Sequence, residues 1–335
     1  MATTTLAGEG PRPAPAEADP RPRALPPLFE RIKTAWDGPE SRPSVLGAIG
    51  CLGLLGVLFW SNLRYLVHVW STDANYSHGF LVPFMSLYFA NEAARLGPLA
   101  DRSGARLGAS LLVLAVLGRL ATILMPVGIV GDLAFLLGLA GIVTLFAGPA
   151  ALKRYGFALA FLAFMIPLPV HLYTMVANPL QLLVSQIASA LLNAGGIPVL
   201  CEGTHMTLPG DVKMFVAEAC SGMRQLTGFL ALTTAVAYLW PRPGWYRAVL
   251  VVSSLPVALT ANVARVVLTG IIMHHDPALA QGMFHTLEGL LMMGFGLALL
   301  WGECQVLDWA LSDREGEAVA SSGSAPAPVV VPKVG

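Results

Sequence analysis

Charge is what this chain has little of. Of its 335 residues, 20 are Lys or Arg and 20 are Asp or Glu, a charged fraction of 12% with a formal net charge of zero, where soluble globular proteins carry about 25%. The scarcity excludes an ordinary soluble domain, and the balance excludes a strongly basic nucleic-acid binder or an acidic disordered solubiliser. Cysteine is sparse too. Cys51, Cys201, Cys220 and Cys304 show no CxxC spacing, and the seven histidines no HExxH, so neither a zinc site nor a disulfide framework is indicated. Any cysteine chemistry must use one thiol.

What is abundant is apolar surface: 55% of the residues are hydrophobic, in long blocks parted by short polar loops. A helix needs about 20 mostly apolar residues to cross the hydrocarbon core. Eight stretches qualify, at 44–61, 78–94, 107–125, 130–148, 156–175, 221–240, 246–270 and 284–303. The expected fold is an all-α polytopic membrane protein. Residues 1–43 read as a disordered Pro/Arg-rich cytoplasmic extension, 44–303 as the transmembrane domain and 304–335 as a disordered cytoplasmic tail.

Orientation follows from the basic residues of the short loops, which concentrate on the cytoplasmic side. Arg95, Arg102 and Arg106 follow the second stretch, Lys153 and Arg154 the fourth, and Arg242 and Arg247 the sixth, whereas the alternate loops hold only Arg64 and Lys213. Both termini are therefore expected in the cytoplasm. Residues 178–197 are also apolar, but Gln181, Ser185, Ser189 and Asn193 recur every four positions as one polar stripe, widened by Gln186. That pattern predicts an amphipathic helix lying on the outer membrane surface. The segment 201–219 has a Pro-Gly turn between β-tolerant residues and predicts a short hairpin or loop outside the membrane.

Ionisable groups inside membrane spans are costly, so each one present is a functional candidate. Arg265 falls in the outer third of the seventh stretch, Cys220 opens the sixth and His285 opens the eighth. With the orientation above, a thiol, a guanidinium and an imidazole meet at one outer boundary. A thiolate is favoured at a helix N-terminus or beside a cation, and Arg265 and Arg224 are the cations at hand. His285 suits proton transfer near neutrality. Arg265 suits an oxyanion or a substrate carboxylate. The chemistry this assembles is acyl transfer through a thioester. Asn262, three residues before Arg265, is placed to hydrogen-bond it or another helix, and Glu218 to partner an arginine or stay solvated. Arg119 and Asp132 are candidates for a structural pair, and His274 and His275 are rivals to His285.

The string EACSGMRQL around Cys220, NVAR ending at Arg265 and HTLEG beginning at His285, with NYSHGFLVP at 75–83, resemble the signature blocks of the exosortase/archaeosortase family over roughly residues 44–303. The resemblance implies a multi-pass enzyme of the inner (cytoplasmic) membrane with its active site on the extracytoplasmic face. It implies a cysteine protease or transpeptidase acting on membrane-anchored secreted proteins that end in a sorting signal: a short motif such as Pro-Glu-Pro, a transmembrane helix and a basic end. Carried over by position, Cys220 is the nucleophile, His285 the acid and base, and Arg265 the stabiliser of substrate or oxyanion. Arg224, Asn262, Glu218, Ser221, Gly222, Asn75 and His78 are supporting or substrate-binding candidates. Membrane lipids are the remaining partner, the acceptor nucleophile is open, the resemblance implies no metal and no organic cofactor, and the bacterial branch often accompanies exopolysaccharide production. A reading from another class is a transporter or scaffold for polysaccharide or lipid export, in which Arg and His line a path; the chain lacks the internal repeat such a fold usually carries.

Overall fold

A computed structural model describes residues 28–96, 104–124, 128–216, 222–276 and 283–322. Helix α1 (Leu28–Asp37) meets α2 (Arg42–Leu58) at a bend of 119°. After a break at Phe59 come α3 (Trp60–Thr72), a 3-10 turn over Ala74–Phe80, and α4 (Val82–Ala94). The antiparallel neighbours α5 (Ala105–Leu124) and α6 (Gly128–Ala147) follow. Helix α7 (Pro149–Phe161) is separated from α8 (Val170–Ala194) by a second 3-10 turn, Leu162–Met165, and the segment Ile166 to Pro169. Strands β1 (Leu200–Glu202), β2 (His205–Leu208) and β3 (Val212–Phe215) lead to α9 (Met223–Leu239), α10 (Gly244–Val252), α11 (Ser254–His275) and α12 (Met283–Ser322).

Among the described residues, four segments are long and apolar enough to cross a membrane: Ala105–Leu124, Gly128–Ala147, Val170–Ala194 and the joined Gly244–His275. The bent pair α1 and α2 passes the same criterion only when the two helices are counted as one broken span. The structure thus agrees with an all-α membrane protein, to which a small sheet is added.

Four expectations are corrected. The stretch 156–175 is not one helix, because Pro167 and Pro169 supply no backbone N–H and force the residues before them out of the helical region. The stripe on α8 is not a continuous outward face. Ser185 and Ser189 are 0% and 7% exposed, while Gln186 and Asn193 are exposed, and the ridge that packs on α11 is the neighbouring one of Leu180, Val184, Ala188 and Leu192. Residues 28–37, inside the stretch expected to be disordered, form α1, and α12 continues past 303 to Ser322. Finally, Arg119 and Asp132 take different partners. Arg119 donates to the Leu58 carbonyl and to Ser61 Oγ at 2.7 Å, while Asp132 accepts from Asn62 Nδ2 at 3.1 Å.

The direction of α8 decides the connectivity. Leu192 packs on Gly270, and Leu180 shares a small pocket with Leu255 and Leu259, so α8 runs parallel to α11. Gly222 and Leu226 meet Asn262 and Ala258, so α9 runs antiparallel to it. The ends of α8 and α11 and the sheet seated on them therefore lie toward one end of the bundle, and α9 starts below it, at the level of Asn262.

The sheet is an antiparallel meander in the order β1-β2-β3. Its second turn uses left-handed backbone at Gly210 (φ 81°) and Asp211 (φ 56°), a conformation glycine and aspartate tolerate best. Met206, Leu208 and Met214 face inward, where they join Val184, Leu192, Val263 and Val266 in one apolar core. The expected hairpin is thus one strand larger and is seated across α8 and α11.

Candidate active site

The first signature block belongs to the scaffold. The 3-10 turn Ala74–Phe80 and the end of α3 lace the break between α7 and α8, whose backbone groups have no helical partner. Trp70 Nε1 donates to the Met165 carbonyl at 2.9 Å, the Leu168 N–H to Tyr76 Oη at 3.1 Å, and His78 Nε2 lies 3.2 Å from the Phe164 carbonyl. Since a carbonyl only accepts, that histidine nitrogen carries the hydrogen. Asn75 Nδ2 donates to Tyr173 Oη at 3.3 Å. This laced turn packs on the start of α9, where Met223 is buried with Tyr76 and Tyr173. Asn75 and His78 thus brace the cysteine helix.

The second block meets the third sequence element at one contact. Gly222, the residue preceding α9, has φ 79°, a left-handed conformation that costs a side-chain-bearing residue about 1–2 kcal/mol. A Cβ built on it would stand 3.1 Å from Asn262 Nδ2 and 3.2 Å from Asn262 Cβ and Cγ. Glycine is needed here twice, for the turn and for the approach. Asn262 is 0% exposed and Arg265, one helical turn further along α11, is 5% exposed. Thr269 Oγ1 donates to the Arg265 carbonyl at 3.0 Å. Arg224, in the first turn of α9, is half-buried, and Gln225 beside it is buried.

Cys220, Ser221 and Glu218 lie outside the described residues. Cys220 is two residues ahead of Gly222 in the chain, so covalent geometry keeps their Cα atoms within about 7.6 Å. His285 is in the first turn of α12, its side chain outside what is described. Two contacts set the depth of α12: Gly296 lies against the Phe229 ring, and Glu303 Oε2 accepts from Ser253 Oγ at 2.6 Å. Counted from these at about 1.5 Å per residue, the backbones of Arg265 and His285 fall about 2 to 9 Å apart in depth.

The other cysteines are placed differently. Cys51 in α2 and Cys304 in α12 are free thiols among packed apolar helices. Cys201 in β1 is a free thiol directed at the Gly203 carbonyl, and burial pushes it above its ordinary value. His274 and His275 are exposed at the end of α11 with their rings 5.2 Å apart. Among the described residues, no three His, Cys, Asp or Glu side chains converge as a metal ion requires. Sequence reasoning missed Trp70 and Tyr76. The signal available to it was two prolines in an apolar stretch, which leave a break that something must satisfy.

None of the curated proteins and none of the solved structures matches this chain. The transmembrane exosortase model (Exosortase_EpsH) matches residues 70–302, which take in the laced turn, the Gly222 contact, Arg265 and His285. With more than half of its length matched, this chain belongs to the transmembrane exosortase family.

Proposed function

We propose that this exosortase-family chain is a membrane-embedded cysteine transpeptidase that cleaves the C-terminal sorting signal of secreted, membrane-anchored proteins. The observation that carries the reading is the close packing of Gly222 on Asn262, which tethers the cysteine block beside Arg265. In this reading the enzyme sits in the inner membrane with eight crossings and both termini cytoplasmic. The sheet end of the bundle faces out, as the basic loops suggest.

The Cys220 thiolate, favoured by the N-terminus of α9 and by nearby arginine, attacks the carbonyl carbon of the peptide bond ahead of the substrate's membrane helix. Arg265 stabilises the oxyanion. The intermediate collapses, the C–N bond breaks, and His285 gives its proton to the departing amine of the anchor helix. An acceptor amine then attacks the thioester, passing its proton to His285, and the Cys220 sulfur leaves. Water in place of the amine gives hydrolysis with the same residues.

The test is processing of a co-expressed secreted reporter that ends in an apolar helix and a basic cluster. Cys220→Ala is expected to abolish processing at unchanged protein level, and the wild-type protein to yield a thioester adduct on Cys220. Intact processing by the variant would refute the reading. Mass spectrometry of the product's new C-terminus separates an added acceptor from a free carboxylate.

A further inference from the structure

Among the described residues, the sheet ahead of the cysteine block has an open edge at β3. Val216 N–H bonds to the Thr204 carbonyl, and Met206 pairs with Met214. In an antiparallel ladder alternate residues point their main-chain groups to opposite sides. The N–H and C=O groups of Lys213 and Phe215 therefore point away from β2, and no described residue bonds to them. The opposite edge, β1, presents this way only at Cys201. The rows of the outer face end at the same strand. Leu200, Thr207 and Lys213 align in one, and Glu202, His205 and Phe215 in the other. Phe215 is 53% exposed, with the His205 ring 4.7 Å from its own.

Position and charge indicate what this edge takes. β1 rests on α8 and β3 on α11, so the open edge is on the side of the helix that carries Arg265. Phe215 is five residues before Cys220, a span of at most about 18 Å. A strand with free main-chain donors and acceptors binds another extended chain by strand addition, with alternate side chains giving selectivity. A residue added beside Lys213 meets an exposed ammonium, and one beside Phe215 meets an aromatic face.

We infer that the open edge of β3 binds the extended segment just ahead of the substrate's membrane helix as a fourth strand, and selects a carboxylate side chain beside Lys213. The inference rests on the proteolytic reading above and deepens it. The Phe215 amide already points away from β2, so Phe215→Pro removes a donor to the added strand and none to the sheet.

The test uses the full-length enzyme in membranes and a secreted reporter ending in an extended acidic segment, an apolar helix and a basic cluster. Phe215→Pro is expected to slow processing at least tenfold while Cys220 alkylation by iodoacetamide and protein level stay unchanged. Lys213→Glu is expected to slow it similarly, with recovery when the reporter's carboxylate residues are changed to Lys. In the Cys220→Ala protein, the reporter's C-terminal peptide is expected to slow amide exchange at Lys213 and Phe215. Wild-type processing by both folded variants, or unchanged exchange with the peptide bound, overturns the strand-addition inference alone. If Phe215→Pro does not fold, the charge swap and the exchange measurement decide. A reporter left intact by the wild-type enzyme, or still cut by Cys220→Ala, overturns the proteolytic reading and this inference with it.

Discussion

Gly222 and Asn262 stand so close that a Cβ on Gly222 would meet three Asn262 atoms at 3.1 and 3.2 Å, and Asn262 would have to give way. One residue of the cysteine block and one of the arginine block are thereby locked at van der Waals distance, although 40 positions separate them in the chain. The proposed chemistry depends on that contact.

Gly222→Ala is the direct probe. Left-handed backbone costs alanine about 1–2 kcal/mol, and the new methyl group pushes Asn262, which is fully buried. A lower thermal midpoint in detergent is expected, with reporter processing reduced by more than the loss of folded protein accounts for. Unchanged midpoint and rate would refute the packing described.

Arg265→Lys keeps the charge and removes the planar fork of donors. If Arg265 stabilises an oxyanion, loss of its donors is expected to lower the processing rate by about 100-fold, with protein level unchanged. A loss of less than threefold would remove Arg265 from the reaction.

The thiols separate by environment. Cys201 is held as the protonated thiol by burial, and alkylation needs the thiolate. At pH 7.5 iodoacetamide is expected to modify Cys220 well before Cys201, as read by peptide mass spectrometry. The variant with Cys51, Cys201 and Cys304 all changed to Ser or Ala is expected to retain processing.

Much was legible without coordinates. Helices α2, α5, α6 and α9 fall close to the apolar stretches, because a run of apolar residues is visible locally, while 246–270 is divided between α10 and α11. The signature blocks around Cys220, Arg265 and His285 and the family they indicate were equally readable, and the matching family model covers 70–302. The break in 156–175 was only half legible. Pro167 and Pro169 mark it, but whether a chain continues past two prolines depends on whether distant groups satisfy the freed backbone, and here Trp70, Tyr76 and His78 do so.

The stripe of Gln181, Ser185, Ser189 and Asn193 shows the limit most clearly. A polar face every fourth residue is the pattern of a helix against water or headgroups, and equally of one whose small side chains admit a neighbouring backbone. Sequence by itself determined which segments are apolar, that a polar stripe exists, and which thiol, guanidinium and imidazole stand at their ends. Only the tertiary structure decided that Ser185 and Ser189 of the stripe are buried, that α8 runs parallel to α11, and that Gly222 closes on Asn262. Those choices depend on which helices are neighbours, and adjacency is a property of packing between residues far apart in the chain.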